Sequence, residues 1–203
     1  MKIVFATKNE GKVREITEML ASTDIELVSL NHFQSLPEIV EDGKTYLDNA
    51  LKKAKIISEF TGETVLADDS GLEVEALGGE PGVYSARYAG EGASDEENND
   101  KLLSKLKEVP PQKRNASFIC ALALYGRNGQ CQAFEAKWQG QIIDERRGTN
   151  GFGYDPIFFW PQMNKTAAEL TPEIKNRVSH RGQAFAKLKS YLCGSTKTKS
   201  IGA

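Results

Sequence analysis

Two adjacent aspartates, Asp68 and Asp69, directly follow a short apolar run and precede Ser70. Neighbouring side chains on an extended backbone point to opposite sides, so one aspartate can face a cleft while the other anchors the structure. Acidic residues at the carboxyl end of a strand lie where α/β sheets place ligands, and hard oxygen donors suit Mg²⁺. A turn or a helix cap is the ordinary alternative use of such residues. The pair favours a metal site over that alternative.

Further carboxylates, Glu38, Glu41 and Asp42, stand shortly before a predicted helix. Most clusters of this kind are solvated surfaces or favourable charges beside the first turn of a helix. Taken by itself, the cluster therefore does not identify Glu41 as a metal ligand.

A polar loop with one glycine, residues 7–12 (TKNEGK), separates an apolar run from a helical pattern. Its backbone N–H groups and the start of the helix can bind an anion, with added charge from Lys8 and Lys12. The loop is not a P-loop, because this chain has Ala6 and Val13 where that motif has glycine and serine or threonine. The pattern fits a phosphate site or an ordinary turn with solvated lysines, and we expect Lys12 to pack against nothing.

Two later segments, residues 150–156 (NGFGYDP) and 179–182 (SHRG), combine glycine with side chains that could do chemistry. Glycines on both sides of Phe152 leave its ring free to stack on a flat partner, although a tight turn with a core aromatic is by itself the better explanation. Ser179 is a natural helix cap, whereas a cation such as Arg181 opposes the dipole at a helix start. A solvated first turn is the alternative, but this placement of Arg181 and its neighbour His180 hints at function.

The composition excludes several classes of protein. The chain has 203 residues and a formal net charge of -2, so it lacks the basic excess of proteins that bind nucleic acids. Its three cysteines form no C-x-x-C pair, which indicates the reducing cytoplasm rather than a secreted disulfide framework. No apolar run is long enough for a signal peptide or a membrane span, so we expect no membrane partner.

The hydrophobic pattern of the first half predicts alternating strands and helices. Residues 3–6 and 25–30 predict strands, and the intervening helix has its apolar face at Val13, Ile16 and Met19. In the following part, the pattern predicts a helix over 46–60, a short strand over 65–67 that ends at Asp68, and a further strand over 72–77.

The second half predicts a helix followed by a hairpin and a last helix. A capping box of Ser94 and Glu97 begins a helix that runs to about residue 109. A strand over 116–125, buried on both faces, then turns at Asn128-Gly129 into a strand with one wet face. The last helix begins at Ser179 and stops at Gly194. We therefore expect one domain over 1–194 and a disordered tail over 195–203.

Six segments together carry a family resemblance. ATKNEGKVREI, DDSGLEV, GGEPGVYSARYAG, NGFGYDPIFF, KTAAELT and SHRGQA occur in this order. With them the chain closely resembles the inosine triphosphate pyrophosphatase family over about residues 2–192. Any one of these motifs is weak, whereas six in order make the resemblance specific.

The resemblance implies a fold and an activity. The fold is an elongated mixed α/β sheet with flanking helices, in two lobes around a central nucleotide-binding cleft. The activity is Mg²⁺-dependent hydrolysis of non-canonical purine nucleoside triphosphates (ITP, dITP and XTP) to monophosphate and pyrophosphate, which keeps deaminated purines out of DNA and RNA. The family likeness also implies a homodimer.

The resemblance also assigns roles to residues. Asp69 falls at the family's water-activating aspartate and, with Glu41, at its metal-binding positions. The substrate-binding positions correspond to Thr7, Lys8, Asn9, Glu10, Gly11, Lys12, Ser70, Phe152, Gly153, Tyr154, Asp155, Lys175, His180 and Arg181.

Small departures and two rival functions remain. The chain has Asp48 where the family usually has glutamate, and this shorter side chain leaves open whether the position holds metal or water. One rival function is a nucleotide-binding sensor that does not hydrolyse its ligand. Adjacent aspartates beside a basic loop argue against it, because a sensor gains nothing from a hydrolytic metal. A sheet-based nucleic-acid-binding module is disfavoured by the near-neutral charge.

Overall fold

One mixed sheet of seven strands forms the frame of the molecule. The computed structural model describes residues 1–21 and 23–197, the last four by their backbone alone. The strands are β1 (Lys2–Phe5), β2 (Glu26–Ser29), β3 (Val65–Val74), β4 (Asn115–Tyr125), β5 (Cys131–Ile142), β6 (Phe158–Trp160) and β7 (Lys165–Thr166). They lie in the order β2-β1-β3-β4-β5-β6-β7. β1 is parallel to β2 and β3, and the remaining neighbours are antiparallel.

Helices cover both faces of this sheet. They are α1 (Glu10–Leu20), α2 (Tyr46–Thr61), α3 (Asp95–Leu106), α4 (Pro172–Val178) and α5 (His180–Lys197). Along β4, Leu122 packs in the core cluster that contains residues of α1 and α5, whereas its neighbour Ala121 packs in the cluster formed with α2. Alternate residues of a strand point to opposite faces, so β4 is buried on both, as predicted. None of the described helices is long and apolar enough to cross a membrane.

The strand that carries the two aspartates is longer than predicted. β3 pairs with β4 over all ten of its residues, from Val65 opposite Tyr125 to Val74 opposite Ala116. The expected stop at residue 68 and the separate strand over 72–77 are therefore wrong. The antiparallel ladder supplies partners for the backbone groups of the polar residues, which keeps them extended. On its other edge β3 pairs with β1 only at Val65 and Leu66, so the aspartates lie just beyond the end of β1.

The core continues beyond that point as a second packing region. The far parts of β3, β4 and β5 join α3 in one cluster, whose buried members include Leu72, Val74, Leu102, Leu106, Phe118, Trp138, Ile142 and Phe158. The near parts of the same strands pack against α1, α2 and α5. The two regions share the long strands, and the gap between their helices is the cleft described below.

Most predicted boundaries of the elements are confirmed. The hairpin turns at Asn128-Gly129, and the capping box of Ser94 and Glu97 begins α3. α3 ends at Leu106 rather than near residue 109. α5 continues to Lys197 rather than stopping at Gly194, because one glycine costs a helix only about 1 kcal/mol. Of the tail predicted over 195–203, residues 195–197 continue the helix and the others lie outside the described residues.

Candidate active site

A single cleft brings most of the predicted site residues together. It is lined by Thr7, Asn9, Lys12, Glu41, Asp69, Ser70, Phe152, Gly153, Tyr154, Asp155, Lys175, His180 and Arg181. Lys8, Glu10 and Gly11 lie in the same loop as Lys12 but do not line the cleft.

The loop after β1 is shaped for an anion by its own side chains. Asn9 caps α1 and accepts a hydrogen bond from the backbone N–H of Lys12 at 2.9 Å, while Thr7 Oγ1 accepts from the N–H of Asn9 at 3.1 Å. The N–H groups of Glu10 and Gly11, in the first turn, have no acceptor among the described residues. A helix start of this kind attracts phosphate.

Lys12 is not without contacts, contrary to the expectation. Its ammonium group forms an ion pair with Asp68, which is fully buried. Arg181 Nε donates to the same carboxylate at 3.2 Å, and the Cys120 thiol donates to it at 3.3 Å. Burial alone would raise the pKa of Asp68, but Lys12 and Arg181 outweigh it and hold that pKa far below its usual range. Asp68 is therefore the structural aspartate of the pair, and its carboxylate is paired with two protein cations.

Asp69 points to the other side of β3 and into the cleft. Its Oδ2 accepts from Asn49 Nδ2 at 3.0 Å, and its Oδ1 accepts from the backbone N–H of Ser70 at 3.0 Å. Burial raises the pKa of Asp69 although nearby Lys12 and Lys53 lower it. The division of the two aspartates between cleft and structure is as predicted. A carboxylate with a raised pKa is a better proton acceptor than an ordinary one.

Glu41 lines the same cleft as Asp69 and is bound by two cationic side chains. Lys53 Nζ pairs with Glu41 Oε1 at 2.6 Å, and Arg87 donates to the backbone carbonyl of Glu41 at 3.2 Å. Among the described residues there is no group of three or more His, Cys, Asp or Glu side chains that could hold a metal. Two carboxylates in a cleft nevertheless fit Mg²⁺, which keeps waters and takes its remaining ligands from phosphate.

The structure also resolves the position of Asp48. Its carboxylate accepts from the backbone N–H of Thr45 at 3.2 Å and completes the capping box of α2. Asp48 is therefore a helix cap. Its neighbour Asn49 reaches Asp69 and, with Lys53 one turn later, presents polar groups on the buried side of α2. Sequence reasoning missed both residues, although two polar positions four apart within an apolar helical stripe were the available signal.

The loop over residues 150–155, called the base loop after the role that the family resemblance implies for it, is held by bonds within the loop and to a neighbouring segment. Asp155 Oδ2 accepts from the backbone N–H of Phe152 at 2.8 Å, and the Tyr154 hydroxyl donates to the Ser85 carbonyl at 2.9 Å. These bonds leave the ring of Phe152 at the cleft, with Lys175 Nζ 5.0 Å from its centre. A Cβ on Gly11 would come within 2.6 Å of this ring, so the glycine lets the base loop pack closely against the loop after β1.

A buried carboxylate that the sequence did not single out joins the remaining cations. Glu15 accepts from Lys175 Nζ at 2.8 Å and from Arg181 Nη1 at 2.5 Å. Burial would raise the pKa of Glu15, but the two cations outweigh it and lower that pKa. Lys175 also pairs with Asp155 at 2.5 Å. Arg181, whose charge opposes the dipole of α5, is thus neutralised within the protein.

His180 is a neutral, buried ring. It stacks on Phe118 with centroids 4.7 Å apart and an interplanar angle of 12°, and its Nδ1 has no partner among the described residues. Burial and the charges of Arg181 and Lys175 hold the pKa of His180 well below its usual value. Ser179 Oγ accepts from the backbone N–H of Gly182 at 3.2 Å, which confirms the predicted cap.

Replacement of Asp68 tests the buried network. Asp68→Asn leaves the charges of Lys12 and Arg181 partly uncompensated in the interior, so we expect the free energy of unfolding to fall by about 3 to 5 kcal/mol. Urea unfolding of both proteins measures the change. Asp100→Asn, at an exposed ion pair with Arg146, is the matched control and should change stability little. Equal stability of Asp68→Asn and the parent chain would contradict this assignment.

The low pKa of His180 predicts a pH dependence of stability. Because the unfolded chain binds a proton at His180 more readily than the folded one, stability is lost as pH falls below about 6.5, by at most about 1.4 kcal/mol per pH unit. His180→Phe keeps a ring on Phe118 but cannot titrate. Between pH 7 and 5 the free energy of unfolding should fall less for this variant than for the parent chain. An equal fall in both proteins would exclude a buried neutral histidine.

Comparisons with known proteins agree with this geometry. Residues 3–191 match the model of the Ham1 family. A dITP/XTP pyrophosphatase of Geobacter sulfurreducens is 53% identical over 94% of this chain and 96% of its own length, and that of Desulforamulus reducens is 50% identical over 95% and 96%. The structure of a HAM1 protein from Coxiella burnetii superposes with a TM-score of 0.87 at 43% identity, covering 96% of this chain and 99% of that one. The chain therefore belongs to the Ham1 family.

Proposed function

We propose that this chain hydrolyses the non-canonical purine nucleoside triphosphates ITP, dITP and XTP to monophosphate and pyrophosphate. One observation carries the proposal: an anion-binding helix start, two cleft carboxylates and an aromatic loop meet in one cleft. The relatives named dITP/XTP pyrophosphatase support the same activity. Such hydrolysis keeps deaminated purines out of DNA and RNA.

The triphosphate is held at the start of α1. Thr7, Asn9 and Lys12 provide hydroxyl, amide and ammonium groups there, and the unpaired N–H groups of the first turn add donors. Lys53 and Arg87 contribute positive charge from the side of Glu41. Positioning and charge stabilisation account for most catalysis of phosphoryl transfer.

Asp69 acts on the attacking water. Its carboxylate, oriented by Asn49 and by the N–H of Ser70, takes a proton from water as the water oxygen bonds to the α-phosphorus. The bond from the α-phosphorus to the bridging oxygen breaks, and pyrophosphate leaves. Mg²⁺ held by Glu41 and Asp69 would supply charge neutralisation and a more acidic water when bound.

The base is recognised on the opposite side of the cleft. Phe152 stacks on the purine ring, which adds affinity without choosing the base. The 6-oxo group of hypoxanthine or xanthine accepts hydrogen bonds, and a neutral His180 together with Arg181 can donate. Adenine presents an amino donor at this position and leaves such donors unpaired.

The quaternary structure and location are also proposals. Family likeness supports a homodimer, and the sparse cysteines support the cytoplasm. Purine nucleotides, rather than nucleic acids or membranes, are the proposed partners, in accord with the net charge of -2.

Replacement of the proposed base tests the chemistry. Asp69→Asn should keep the fold but lower kcat by at least about 10² to 10⁴, because the amide cannot accept the proton. Pyrophosphate release from ITP with Mg²⁺ and with chelator measures the loss. Asp42→Asn, next to Glu41 but exposed and paired with Lys52, is the control and should retain turnover. Near-normal turnover in Asp69→Asn would refute the assignment.

Products and base preference test the substrate. Phosphorus NMR should show monophosphate and pyrophosphate in equal amounts, without orthophosphate.

The preference for the base is tested by comparing substrates. kcat/KM for ITP should exceed that for ATP by about tenfold or more, since an unpaired buried polar group costs about 1 to 3 kcal/mol. Equal values for ITP and ATP would exclude selection at the 6-position, and γ-phosphate release would indicate a different enzyme.

A further inference from the structure

The start of α3 binds both polar backbone groups of one residue in the base loop. Asp95 Oδ2 accepts from the backbone N–H of Gly153 at 2.6 Å, and Asn99 Nδ2 donates to the carbonyl of the same glycine at 3.0 Å. Asp95 and Asn99 are four residues apart and so share one face of the helix. They are more than fifty residues from Gly153 along the chain, so this is a tertiary contact.

These bonds add an anchor to the loop beside those at Tyr154 and Asp155. Asp155 anchors the loop toward Lys175, within the buried charge network. Gly153, which directly follows Phe152, has the left-handed φ of 62°, and among the described residues the hydrogen bonds of its backbone groups are with α3. The direction in which Phe152 presents its ring therefore depends on the anchor at Gly153 as well as on the one at Asp155.

α3 is a rigid support for such an anchor. Leu102 and Leu106 are fully buried in the far core region, and the capping box fixes the first turn. Asn98, beside Asn99, donates to the carbonyl of Ala86 at 3.3 Å, and Ala86 lines the same cleft. Asn99 itself is 3% exposed, which protects its bond to Gly153 from water.

We infer that Asp95 and Asn99 are positioning residues that set the affinity for the purine base by fixing Gly153 and hence the ring of Phe152. The inference rests on the proposed function, because Phe152 has to stack on a base. In this inference neither residue contacts the phosphates. Replacing either one should therefore weaken binding of the base but not binding of the triphosphate.

Paired substitutions separate the bonds from charge and shape. Asp95→Asn removes the charge but keeps an oxygen that accepts from the N–H of Gly153, whereas Asp95→Ala removes the acceptor. Asn99→Asp keeps the shape but lacks the N–H donor. Glu96→Ala is the control, because Glu96 is an exposed residue in the same turn and, in the described part of the chain, makes no hydrogen bond to the loop.

Hydrogen exchange measured by mass spectrometry tests the brace without any nucleotide. Peptides covering residues 150–155 should exchange at least about tenfold faster in Asp95→Ala and Asn99→Asp than in Asp95→Asn or Glu96→Ala. Unchanged exchange in both loss variants would overturn the inference whether or not the chain hydrolyses nucleotides. An inactive parent chain would instead contradict the proposed function and leave this result valid.

Kinetics test what the brace does. In Asp95→Ala and Asn99→Asp, KM for ITP should rise about three- to tenfold with kcat within about twofold, while the inhibition constant of inorganic tripolyphosphate stays unchanged. Asp95→Asn, which keeps the acceptor, should have the same KM for ITP as the parent chain. A loss of kcat alone, or an equal loss of tripolyphosphate affinity, would show general damage to the cleft and overturn the inference.

Discussion

A balanced set of buried and partly buried charges holds the cleft together. Three carboxylates pair with three cations, and the pairs join β3, α1, α4, α5 and the base loop; the members are Asp68, Glu15, Asp155, Lys12, Lys175 and Arg181. Removing any one member leaves an uncompensated charge in a low-dielectric interior. The network therefore ties the loop after β1 to the start of α5 across the cleft.

The network also explains how two neighbouring aspartates differ. Asp68 lies on the side of β3 that faces Lys12 and Arg181, where the cations keep its pKa low. Asp69 lies on the other side, and burial raises its pKa because its neighbours only partly compensate. The alternation of side chains along one extended strand thus separates a structural carboxylate from a proposed catalytic one.

The length of β3 determines where the cleft lies. β1 ends opposite Leu66, whereas β3 continues with β4 into the far core region. The aspartates lie just past the point where the parallel pairing with β1 ends and where β3 is paired only with antiparallel β4. Ligands of α/β proteins bind at the carboxyl ends of parallel strands, and here the end belongs to β1 while the carboxylates come from its neighbour.

Much of the fold and site could be predicted from local sequence. Apolar periodicity located most helices and strands, and the capping residues Ser94 and Ser179 marked helix starts correctly. The order of six motifs identified the family, and thirteen of the predicted site residues line one cleft. These features depend on residue type and spacing within a few positions, which a sequence displays directly.

Contacts between distant segments could not be predicted in this way. The ion pair of Lys12 with Asp68, the burial of Glu15, and the bonds of Asp95 and Asn99 to Gly153 join residues far apart in the chain. A charged residue has the same local signature whether it meets water or a buried partner. Likewise, β3 continues through its aspartates only because β4 supplies the pairing. Spacing and residue type therefore determined which residues could do chemistry, whereas the tertiary structure decided their partners, because pairing and burial depend on the whole chain.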